Sequence, residues 1–76
     1  MNEQLAAIKA RREAVTPGEW HVTPLSRDYG IFSTAHECIA VVDGAEPCRR
    51  EANAAFIAAA PADIDTLLRE VERLTG

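Results

Sequence analysis

The sequence predicts an α+β fold: an N-terminal helix, a three-stranded antiparallel β-meander and two C-terminal helices. Three observations predict it. Apolar residues recur at helical spacing before Val15 and again after Pro47. Between Trp20 and Val42 they fall instead in short alternating or apolar runs. Gly or Pro punctuates the changes of period.

The first helix takes Asn2 as its expected N-cap and places Leu5, Ile8, Arg12 and Val15 on one narrow stripe, with Ala6, Ala7, Ala10 and Ala14 around it. So thin a stripe predicts a half-exposed helix. Thr16-Pro17-Gly18 stops it, because a residue before proline is driven out of α geometry and glycine permits a turn.

A strand follows in which Trp20 and Val22 face one way and Glu19, His21 and Thr23 the other, ended by Pro24. Leu25 to Gly30 reads as a connection. Tyr29 to Thr34 and Cys38 to Val42 are the second and third strands, and Asp43-Gly44 is the closing turn.

Pro47 suits the first turn of a helix, where its missing N–H does no harm. Ala52, Ala55, Phe56 and Ala59 form its expected apolar stripe, widened by Ile57 and Ala58. Pro61 is expected to break this helix. Ile64, Leu67, Leu68, Val71 and Leu74 then mark a last helix, with Asp63 and Asp65 in its first turn and Arg73 in its last. Trp20, Phe56 and this leucine-rich tail are expected to share one interior over the sheet.

The 76 residues make one domain, 1–76, whose small core invites oligomerisation. Hydrophobic residues at 47% and charged residues at 26% describe a globular chain. The longest apolar run, Ala54 to Ala60, is too short to span a bilayer, and the opening Met1-Asn2-Glu3-Gln4 lacks a signal peptide's basic start. A cytoplasmic location is expected. Twelve acidic residues against eight basic ones disfavour binding to nucleic acid.

His21, His36, Cys38 and Cys48 are the soft metal ligands. Only His36-Glu37-Cys38 is closely spaced, which is no zinc pattern, so no metal site is assigned. A Cys–His pair from Cys38 with His21 or His36 lacks a third orienting group. The carboxylates are scattered, and the chain reads as non-enzymatic, with no cofactor. Trp20 reads as a core anchor rather than an interface anchor. Arg49-Arg50 can meet an anion or form a solvated pair balanced by Glu46 and Glu51; the second is favoured. The last helix can pack on its own domain or on a second copy.

Two segments carry a resemblance. Ala14-Val15-Thr16-Pro17-Gly18-Glu19-Trp20 resembles the ATPGxW opening of Ead-like proteins, small accessory proteins of bacteriophages and prophages. Asn53 to Pro61, then Leu67-Leu68 and Val71-Glu72-Arg73-Leu74, resemble their closing helix pair. Val15 stands where that family usually has alanine. The resemblance implies a phage setting in a host cell and carries over no catalytic residue.

The expected function is therefore binding, as a homo-oligomer that interferes with host defence. It would sequester a small nucleotide signal or occlude a host protein. The nucleotide version predicts a polar pocket at a subunit boundary lined by His21, Tyr29, Arg49 or Arg50. The alternatives are a zinc- or cysteine-dependent enzyme and a nucleic-acid-associated helper.

Overall fold

The computed structural model describes residues 3–43 and 46–75, without the side chains of Pro47 and Cys48. The expected cap at Asn2, the Gly44 half of the turn and the surroundings of Cys48 lie outside the described residues. Two helices flank a three-stranded sheet in the order α1 (Glu3–Ala14), β1 (Trp20–Pro24), β2 (Tyr29–Ser33), β3 (Cys38–Val42), α2 (Pro47–Thr75). The strands lie in sequence order, each antiparallel to its neighbour, as a meander requires.

Register sorts the side chains. Val22 pairs with Ile31 and Ile31 with Ala40, so these three share the face turned to α2. Trp20, Ser33, Tyr29 and Val42 stand on the same face by alternation. A bulge between Ile31 and Phe32 brings Phe32 opposite Cys38 and leaves Ile39 as the extra residue of β3. The core is small: among the described residues Ile31, Val42 and Ala54 are its buried apolar members. Trp20, Val22, Tyr29, Ile39, Ala40, Ile57 and Ala58 pack around them, half-buried. Ala54 carries α2 close to the sheet because a methyl group is all that stands between the backbones. None of the described residues of α1 is fully buried, which fits its thin apolar stripe.

Two expectations need correction. Pro61 does not divide the C-terminal region, and α2 runs as one 29-residue helix through it. An interior proline removes one helical hydrogen bond and crowds the preceding turn, at about 3 kcal/mol. Three things offset that cost. Pro61 is buried, alanines precede it, and its carbonyl accepts a hydrogen bond from Arg12 Nε at 3.0 Å. Arg12 Nη2 also reaches Asp65 Oδ2 at 2.9 Å, so α1 holds the turn of α2 that begins at the proline. Lys9 and Glu72 make a further, exposed ion pair along the same antiparallel seam.

The second correction concerns Phe56, whose ring does not join the core; the residue is 74% exposed. The stripe that meets the sheet is Ala54, Ile57 and Ala58, and it continues through Pro61 toward α1. The tail leucines also divide. Leu68 is half-buried, while Leu67 and Leu74 are 60% and 70% exposed.

Trp20 does anchor the first strand. Its indole Nε1 donates to the Thr16 carbonyl at 3.1 Å, closing the turn that Pro17 and Gly18 open. Gly18 sits at φ +90°, in the left-handed region, and a Cβ there would lie 2.9 Å from Thr34 Oγ1. The Thr-Pro-Gly-x-Trp segment is thus a structural corner joining α1 to the sheet.

Candidate functional site

The sheet has one face under α2 and one without a helix. The second face is built in two cross-strand rows. His21, Phe32 and Cys38 make one; Thr23, Gly30 and Val41 make the other. His21 and Phe32 stack with ring centroids 6.4 Å apart and planes at 27°. The Phe32 ring folds across Gly30, where an added Cβ would meet Phe32 Cε2 at 2.5 Å. Glycine therefore lets the ring lie flat on the sheet. Val41 is 51% exposed beside it. Cys38 is exposed, and its thiol points back to the Ala40 carbonyl at 3.8 Å. The result is an uncovered face with an aromatic–imidazole centre and an aliphatic flank.

The four residues named from sequence do not meet on one surface within a chain. His21 stands on this open face, as alternation with Trp20 predicts. Tyr29 stands on the other, packed toward the core. Arg50 donates from Nη1 to the Arg27 carbonyl and lies 4.0 Å from Asp28 Oδ1. It ties the first turn of α2 to the β1–β2 connection, instead of forming the solvated pair expected from sequence. Arg49 is exposed.

His36 is not on a strand with Cys38. It occupies the β2–β3 turn at φ +66°, and its N–H donates to the Ser33 carbonyl at 3.0 Å. Among the described residues, no three His, Cys, Asp or Glu side chains gather closely enough to hold a metal ion.

Sequence reasoning placed Thr23 beside His21 but missed Phe32 and Val41 as partners. Alternation within each strand was the available signal, but the bulge hides which residue of β3 faces Phe32. It also missed the clefts at the other end of the molecule. An open cleft of about 520 Å³ lies between α2 and the corner segment, with Arg12, Trp20 and Asp65 in its wall. A neighbouring apolar groove of about 310 Å³ runs between the helices, lined by Ile8, Val15, Trp20, Ala60, Pro61 and Ile64 together with Arg11 and Arg12. Arg12 is already engaged by Pro61 and Asp65, which leaves the first cleft without a free cation from that side chain. On the exposed end of α2, Glu70 raises the pKa of Arg73 through their hydrogen bond.

Fold and site together define a small α+β meander domain with one helix-covered and one open sheet face. Compared with known proteins, the chain matches no family model, no curated protein and no solved structure. No helix among the described residues is long and apolar enough to cross a membrane.

Proposed function

We propose that this chain is a non-enzymatic binding protein whose open sheet face covers a protein partner. The setting is that of the phage accessory proteins that the Ala14–Trp20 segment resembles, and the partner is a host protein of a defence pathway. The observation that carries the reading is the composition of that face. It combines a stacked His21–Phe32 pair with a half-exposed Val41. Small ligands are held in concave sites with convergent polar groups. Exposed faces that join aromatic and aliphatic groups suit protein partners. The division of His21 and Tyr29 between opposite faces favours occlusion of a protein over capture of a nucleotide.

The test is affinity capture from host lysate with the wild-type chain, Val41→Glu and His21→Ala side by side. The reading expects a defined protein retained by wild type and lost, at least tenfold, from Val41→Glu. A capture profile identical in all three, or a thermal shift with a cyclic or adenine nucleotide that His21→Ala leaves intact, overturns it.

A further inference from the structure

We propose that α2 pairs in parallel with α2 of a second copy, along a seam of Ala60, Ile64, Leu67, Val71 and Leu74. This surface is separate from the open sheet face, so either assignment can fail without the other. The seam residues recur at intervals of four, three, four and three, a heptad register about 22 Å long at 1.5 Å per residue. Leu67 and Leu74 are 60% and 70% exposed along it, seven residues apart on one side of the helix. The β-branched Ile64 and Val71 hold one set of seam positions and Leu67 and Leu74 the other. That alternation favours two parallel strands. A lone helix this short would be marginal as a coiled coil. Here α1 braces it through Arg12, and Ile8 and Val15 extend its apolar edge.

Charge selects the occupant and its direction. Arg11 borders the apolar groove beside Ala60 and Ile64 on the α1 side of the seam. Asp63 and Glu70 lie on the opposite flank by helical spacing. Neither Arg11 nor Asp63 makes an ion pair among the described residues. A two-fold axis parallel to α2 brings the Asp63 flank of one copy against the Arg11 flank of the other at the same height. An antiparallel pair would instead set Asp63 against Glu70, which already holds Arg73, and would leave Arg11 without a facing carboxylate. The surface is therefore self-complementary in one direction only.

Light scattering on the full chain at tens of micromolar tests the pairing, with a mass twice 8.3 kDa expected. Leu67→Glu, at an exposed position, should give a folded monomer by circular dichroism. Arg11→Asp should weaken pairing at least tenfold, and adding Asp63→Arg should restore it. Direction is read in a Cys38→Ser, Cys48→Ser background carrying Leu74→Cys, which should oxidise to a covalent dimer because the seam places residue 74 of each copy side by side. A monomer for the wild type, or a dimer indifferent to Leu67→Glu, overturns the proposal. A dimer in which Leu74→Cys stays reduced overturns the parallel arrangement.

Discussion

Arg12 on α1 donates to the Pro61 carbonyl at 3.0 Å and to the Asp65 carboxylate at 2.9 Å, tying α1 with one side chain to the turn of α2 that starts at the proline. The two contacts lie one helical turn apart on α2, so the guanidinium holds the turn that follows the one the proline weakens, Ile57 to Pro61. Its planar fork suits that double role better than an ammonium would.

Arg12→Lys should therefore cost stability although it keeps the charge. The pair with Asp65 is partly solvated and contributes little by itself. The hydrogen bond to Pro61 is the larger share, and losing it should cost about 1–2 kcal/mol. Urea unfolding followed by the fluorescence of Trp20, the sole tryptophan, measures the change. Pro61→Ala keeps the backbone carbonyl that Arg12 meets, so the same substitution should cost about as much in that background.

Ala54 is fully buried where α2 approaches the sheet, with Ile31 also at 0% exposure in the same cluster. Ala54→Leu adds three carbons to a filled site and should destabilise by about 1–3 kcal/mol. Ala55→Leu, one residue on and exposed, should be nearly neutral. Equal effects at the two positions would contradict the assignment of Ala54 to the inner face.

Sequence pattern located the strands well and the helix faces poorly, for a physical reason. A strand's period of two assigns faces from neighbours alone, so Trp20 and His21 separated correctly. The alanine-rich segment Ala52–Ala60 offers two apolar stripes at helical spacing. The choice between them is made by tertiary contact: Ala54, Ile57 and Ala58 meet the sheet, and Phe56 stays outside. Pro61 failed as a helix breaker because its burial and its bond to Arg12, 49 residues away in sequence, are tertiary. The open face was half legible. His21 followed from alternation, but the rows that join it to Phe32, Cys38 and Val41 depend on register and on a bulge that no local pattern encodes.

Gly18→Ala should weaken the corner between α1 and the sheet. The backbone there is at φ +90°, which a side chain strains, and the new methyl would crowd Thr34 Oγ1. A loss of about 1–2 kcal/mol is expected. Thr34→Ala relieves the crowding but not the backbone strain, so the double variant should recover only part of it. Trp20 reports the corner directly, since its indole bonds to Thr16, and a red-shifted emission in Gly18→Ala should accompany the loss.

Ser33 is the buried polar residue of the sheet, at 0% exposure, and its hydroxyl oxygen accepts the N–H groups of both Ala35 and Glu37 at 3.2 Å. With the Ser33–Glu37 and His36–Ser33 backbone bonds, it holds the turn that carries His36 in its left-handed conformation. Ser33→Ala strips the acceptor from two backbone donors at once. Part of that cost is recovered where water reaches the exposed Ala35 and Glu37, so a loss of about 1–3 kcal/mol is expected rather than twice that. The change should be local. Hydrogen exchange should rise at Ala35 and Glu37 while the Val22–Ile31 pairing in the middle of the sheet keeps its protection. Ser33→Thr retains the acceptor but adds a methyl group to a site with no exposed surface, and should fall between the two. If Ser33→Ala matched wild type in both stability and exchange, the hydroxyl would not be what orders this turn.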